Sequence, residues 1–211
     1  MPRTSRIAHL LRRRLRYRRI VFALLALLAL SVFISRSSFF GRPSGDDWAI
    51  YDRQRFVVTH VIDGDTIDVA ARSGSTPTRI RLLGVDAPEM RNDNGHPEYW
   101  ADAAKRYAVA RGENKPVTLK LEPTQTRDRY GRLLAYVYLS DAESLNLALI
   151  RDGQAYADRR FRHTMKAQFE QAEAAARKKE LGLWKDVKRS HMPEWRQQWL
   201  SARGSTAKAG R

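Results

Sequence analysis

Cysteine is absent from all 211 residues. That excludes a disulfide framework, a thiolate metal site and a cysteine nucleophile together. Acidic residues are absent from the first 45 positions, which carry ten arginines, and the stretch from residue 185 onward holds seven Lys or Arg against two acids. Between these ends the chain has 22 basic and 21 acidic groups, so the formal net charge of +16 describes the termini and not the domain. A polyanion site in the middle must therefore be a local patch. There is no internal repeat, and the length suits one ordinary domain with a core of its own and one active site.

Long apolar runs are also missing, with one exception. Eight arginines between Arg3 and Arg19 precede the uncharged segment at residues 20–34, IVFALLALLALSVFI. Its 15 residues would make a helix of roughly 22 Å, short of the roughly 20 residues of a usual span. The pattern reads as an export signal or a membrane anchor. No small-x-small cleavage motif follows, and Val32, Phe33 and Ile34 are bulky, so the expectation is a retained anchor rather than a cleaved signal. The arginine flank then stays in the cytoplasm and everything after residue 35 lies outside, on a periplasmic or extracellular face, or is secreted if the segment is cut. Residues 35–54, rich in Ser, Gly, Pro and charge, read as a flexible tether. The domain is expected over 55–187. A basic tail at 188–211 follows, in which Trp195 and Trp199 could pin one turn of helix while the rest is disordered.

Within the domain, Phe56, Val57, Val58, Val61 and Ile62 form a β-branched run that stops at Asp63-Gly64, a dipeptide suited to the positive φ angles of a tight hairpin. Thr66 to Ala70 alternates polar and apolar, and the run from Arg79 to Leu83 does so less strictly. The period then changes: Trp100, Ala103, Ala104, Tyr107 and Ala108 fall on one face of a helix that should stop at Gly112. Two more strands are expected at 117–121 and 133–139, a short helix at 145–150 and a longer one at 164–181. The reading is an α+β fold, a five-stranded OB-type barrel with about three helices, preceded by the N-terminal apolar helix.

Three clusters carry chemistry. In VIDGDT, Asp65 shares strand parity with Ile67 and Val69, which puts a carboxylate at the end of an apolar face, where it is costly unless a cation or donors meet it. In RLLGVDAPE, Asp86 offers a hard oxygen, the Ala87 carbonyl a neutral one, and Glu89 a carboxylate able to take a proton from water. In TRDRYGR, Arg132 supplies a guanidinium that with Arg81 could grip two oxygens of one phosphate. Each cluster alone is no more than an ordinary turn or charged loop. Together they are the parts of phosphodiester hydrolysis: a hard cation, cationic donors and a water-activating carboxylate.

Through VIDGDT, RLLGVDAPE, DRYGR and the closing LGLW, in that order, the sequence over about residues 56–184 resembles the staphylococcal nuclease, or thermonuclease-like, family. The resemblance implies that Asp65, Asp86 and the Ala87 carbonyl are Ca²⁺ ligands. It implies that Arg81 and Arg132 contact the scissile phosphate, with Arg129 a further phosphate contact, and that Glu89 is general base or water positioner. Asp63 and Asp128 would support the turns. Where that family's best-known member has tyrosines that stack on a bound nucleotide, this chain has Ala157-Asp158-Arg159-Arg160-Phe161, with Tyr156 before them. His96 is expected to be a surface residue.

The function expected is a Ca²⁺-dependent, monomeric endonuclease of DNA and RNA that leaves 3′-phosphate ends, held to a membrane through residues 20–34. A non-catalytic OB module binding nucleic acid or a partner is the alternative. Degenerate domains of that kind lose the Arg or Glu positions, and here Arg81, Asp86, Glu89 and Arg132 are all present. A lipid-binding role for the basic ends would leave that set unexplained.

Overall fold

The computed structural model describes residues 45–71, 74–91 and 95–209; the Arg-rich start, the apolar run at 20–34 and the first part of the tether lie outside the described residues. Among the described residues no helix is long and apolar enough to cross a membrane.

Helix α1 (Gly45–Tyr51) leads into β1 (Arg55–Val61), β2 (Thr66–Ala70) and β3 (Thr78–Leu82), an antiparallel meander. The two-residue strand β4 (Val85–Asp86) and helix α2 (Ala101–Gly112) come next. They are followed by β5 (Pro116–Leu121), β6 (Leu133–Ser140) and the short β7 (Glu143–Ser144). β5 pairs antiparallel with both β1 and β6, and β6 runs parallel to β3, so β1, β2, β3, β6 and β5 close into a five-stranded barrel. Closure leaves those five strands without a free edge. Helix α3 (Leu145–Arg151), strand β8 (Tyr156–Ala157) and helices α4 (Lys166–Lys178) and α5 (Glu194–Ala209) complete the domain.

Strand alternation decides what faces inward. In β5, Val117, Leu119 and Leu121 are buried while Pro116 and Lys120 are exposed. In β1 the inward set is Phe56, Val58 and then Val61, a break in parity that coincides with a bulge between Val58 and His60. The extra residue turns His60 out and Val61 in. With Ile67, Val69, Ile80, Leu82, Leu133 and Val137 these make one core, in which each fully buried aliphatic side chain contributes about 1.5–3 kcal/mol. Where β3 and β6 part, Asn146 at the start of α3 bridges them: its amide donates to the Leu83 and Ala135 carbonyls at 3.0 and 3.2 Å and its oxygen accepts from Val137 N at 2.8 Å.

Three expectations are corrected. Gly64 does not supply a positive φ. It is buried, and a Cβ there would lie 2.6 Å from the Ala87 Cβ and 2.9 Å from that of Ala104, so the position requires glycine for close approach. The tether does not run to residue 54. α1 is helical, and buried Asp47 accepts hydrogen bonds from Thr126 Oγ1 at 2.8 Å and Arg127 Nη2 at 2.7 Å, which ties residues 45–54 to the barrel. The C-terminal stretch is no loose tail. α5 runs 16 residues and buries Arg196 completely, and the described residues hold five α-helices rather than about three.

Candidate active site

The barrel register assembles the site. Arg81 of β3 stands opposite Thr66 of β2, and Leu82 N donates to the Asp65 carbonyl at 2.8 Å, so the Arg81 side chain comes to lie beside Asp65. β3 then ends in a turn at Gly84, whose φ of 76° is left-handed, and a Cβ there would stand 2.5 Å from His163 Cε1. Only glycine meets both conditions. The turn returns the chain as β4, antiparallel to β8, with Asp86 opposite Tyr156.

Asp65 and Asp86 are thereby brought to one guanidinium. Arg81 Nη1 pairs with Asp65 Oδ2, and Arg81 Nη2 donates to Asp86 Oδ1 at 3.2 Å. The Asp65 carboxylate also accepts from Ala87 N at 2.7 Å and Thr66 Oγ1 at 3.1 Å. Burial pushes the Asp65 carboxyl well above the usual carboxylate range, and the Arg81 charge pulls it back. Asp63 Oδ1 accepts from Asp65 N at 3.0 Å, the turn-supporting part expected of it.

These donors suit a hard divalent cation. Two carboxylates and a neighbouring peptide carbonyl supply oxygen only, and a carboxylate as desolvated as Asp65 is stabilised by added positive charge. Among the described residues no group of three or more His, Cys, Asp or Glu is placed to hold a metal, so a cation at Asp65, Asp86 and Ala87 would complete its shell with water.

Glu89 is exposed, with its backbone N–H on Glu98 Oε2 at 2.9 Å. Partial desolvation, then the Asp63 charge, raises its carboxyl pKa, while Arg81 opposes the shift. Glu89 thus shares the electrostatic field of the Asp65–Arg81–Asp86 cluster.

Arg132 sits apart. Its Nε donates to Asp128 Oδ2 at 2.7 Å, and Asp128 Oδ1 accepts from the Tyr130 and Arg132 backbone, so Asp128 organises the loop as expected. Arg129 and Arg132 both lie over the exposed Tyr130 ring, at 4.7 and 5.4 Å. Among the described residues no hydrogen bond or ion pair joins Arg132 to Asp65, Arg81 or Asp86. The parallel β3–β6 pairing nevertheless sets this loop beside β3, and Arg132, Tyr130 and Arg79 line an open groove of about 410 Å³. His96 is exposed.

Sequence reasoning missed three contributors. Arg160 Nη2 donates to Asp86 Oδ1 at 2.8 Å, and Trp195 Nε1 from α5 donates to Asp86 Oδ2 at 2.9 Å. Below them, Glu173 of α4 is wholly buried and accepts from Ala157 N, Arg159 Nη2 and Arg196 Nη1. The Trp195/Trp199 spacing signalled a helix, but nothing local signalled that it would reach Asp86.

A closed barrel with buried carboxylates gathered on an arginine at its rim defines the class, a nuclease-type hydrolase. The staphylococcal nuclease homologue family matches residues 79–186. A thermonuclease from Staphylococcus intermedius is 36% identical over 134 residues, covering 62% of this chain and 76% of that protein. An uncharacterized endonuclease from Escherichia coli O157:H7 is 35% identical over 138 residues, 65% of this chain and 80% of its own. A micrococcal nuclease from Shigella flexneri is 31% identical over 160 residues, 71% and 82% respectively. The chain belongs to the staphylococcal nuclease family.

Proposed function

We propose that this nuclease is Ca²⁺-dependent, cleaves both DNA and RNA to leave 3′-phosphate ends, and works outside the cytoplasm, tethered to a membrane through residues 20–34. The observation that carries the catalytic reading is Arg81 bridging Asp65 and Asp86: a guanidinium and two hard anionic ligands at one point are what a phosphodiester and its counter-cation require.

Asp65, Asp86 and the Ala87 carbonyl would hold Ca²⁺, which when bound supplies charge to a phosphate oxygen and to the attacking water. Arg81 binds and orients the phosphate. Arg132, with Arg129 beside it, donates to charge that grows on the phosphate as water attacks, a contribution of about 3–4 kcal/mol for one well-placed donor. Glu89 takes the water's proton or aims the water, and its raised pKa suits a base.

Incubation of the purified protein with single-stranded DNA, duplex DNA and RNA, in calcium and then in chelator, tests class and metal together. Turnover undiminished by chelator would overturn the metal assignment. The topology rests on the arginine flank and the apolar run. A reporter fused to the C-terminus should work only outside the cytoplasm and sediment with membranes; activity confined to the cytoplasm would reverse the orientation, and a soluble form starting near residue 35–45 would show a cleaved signal.

A further inference from the structure

The segment after β8 places a second guanidinium on the carboxylate that Arg81 already holds. β8 pairs with β4, and Asp158 N donates to the Gly84 carbonyl at 2.9 Å, so residues 158–160 are fixed against the β3–β4 turn. Asp158 then locks Arg160. Its carboxylate accepts from the Arg160 backbone at 3.0 Å, from Nε at 2.9 Å and from Nη2 at 2.8 Å. The same Nη2 reaches Asp86 Oδ1, the oxygen bonded to Arg81 Nη2. Two rings flank the guanidinium, Trp195 of α5 at 5.0 Å and Phe161 at 5.7 Å.

These contacts leave the group rigid but accessible. Asp158 is 5% exposed whereas the Arg160 side chain is 39% exposed, and among the described residues Nη1 has no hydrogen-bond partner. An ion pair serving the fold alone has no need of an open guanidinium edge. A guanidinium held by a carboxylate and two rings has already given up its rotamer freedom, so an oxyanion that docks on it costs little further ordering. Two guanidinium groups on one carboxylate oxygen are also close enough to serve neighbouring phosphates of one strand.

We propose that Arg160 is a further substrate-binding residue of this nuclease, a guanidinium that takes the phosphate next to the one held at Arg81, with Trp195 of the C-terminal helix as the positioning residue that keeps it there. The proposal rests on the reading that Arg81 and Arg132 face the substrate phosphate. It assigns α5 a part in the site, since the Trp195 indole both flanks Arg160 and bonds Asp86.

The test is binding of a single-stranded oligonucleotide in chelator, where the proposed Ca²⁺ dependence leaves it uncleaved, followed by fluorescence anisotropy across a series of salt concentrations. The variant is Asp158→Asn with Arg160→Gln, which deletes the local pair and leaves net charge unchanged. Kd should weaken roughly tenfold or more, and the slope of log Kd against log salt should fall by about 0.7, the value for one phosphate contact on a single strand. Arg132→Gln is the reference. If Arg132→Gln lowers the slope and the double variant, folded by its thermal midpoint, does not, Arg160 is no phosphate contact. If neither lowers it, the reading of the site falls and this proposal with it. Should the double variant fail to fold, arginine modification by phenylglyoxal in the unaltered protein decides: oligonucleotide should protect Arg160, and an unchanged rate overturns the proposal.

Discussion

Arg196 Nη1 donates to Glu173 Oε1 at 2.7 Å, and both side chains are shut off from solvent. The Arg196 guanidinium also lies 4.9 Å from the Tyr156 ring centroid and 5.0 Å from that of Trp184, so one buried cation joins α5 to α4 and β8. Glu173 in turn accepts from Ala157 N, in the strand that pairs with β4 and so with Asp86. The C-terminal helix is thus linked through this pair to the strand that carries Asp86 of the candidate site.

Removing one partner of a buried ion pair leaves the other uncompensated, so Arg196→Ala should destabilise the fold by about 3–5 kcal/mol in a urea titration. Arg196→Met combined with Glu173→Gln should recover part of the loss. A cost under 1 kcal/mol for the single variant would mean that α5 is dispensable.

Gly64→Ala tests close approach separately from backbone strain, because Gly64 has no positive φ and its added methyl would meet the Ala87 and Ala104 methyls. Overpacking of this kind costs about 1–3 kcal/mol. Since the Ala87 methyl must give way, carrying Asp86 with it, kcat should fall by more than the loss of folded protein explains. Unchanged activity per folded molecule would show that the β4 segment absorbs the push elsewhere.

Burial lowers the pKa of His163 below its ordinary 6.5, against the opposing pull of Glu122. Its Nδ1 meets the Tyr136 hydroxyl at 3.1 Å, and that hydroxyl donates to Glu122 Oε2 at 2.9 Å, so the ring sits at the end of a buried hydrogen-bonded chain. A depressed folded pKa gives stability that is complete above the unfolded value and lost as pH falls through the folded one. The urea midpoint should therefore decline below pH 6.5, and His163→Gln should flatten that decline between pH 7.5 and 5.5. A decline of the same size in the variant would assign it to other groups.

Glu89→Gln keeps shape and removes basicity, and should cost on the order of a hundredfold or more in kcat. Because Glu89 must be ionised to act as base, the wild-type rate should fall as pH drops through its raised pKa, an acid limb that the variant loses. A large rate loss with that limb intact would make Glu89 a water positioner. Arg132→Lys should lower kcat by a similar factor with KM nearly unchanged, since a point charge cannot reproduce paired donors. Near wild-type rates in both would move the catalytic site elsewhere.

The sequence by itself determined the five barrel strands and the three central helices, and it singled out Asp65, Arg81 and Asp86, which the fold brings together, as candidate site residues. The period of apolar residues reports which face of an element is buried, and the motif residues lie in short segments whose chemistry is local. Buried polar contacts are not legible in this way. Arg196, Glu173 and Asp47 look in sequence like any surface charge, and the Trp195–Asp86 bond spans 109 residues. The role of Gly64 was hidden for a related reason: Asp-Gly signals a turn, whereas the crowding that demands glycine comes from Ala87 and Ala104, which meet it only in the folded chain. A period fixes a face but not its partner. Tertiary structure chose the partners, because only barrel closure and the docking of α5 remove these charges from water, where each then has to find a counter-charge or a donor.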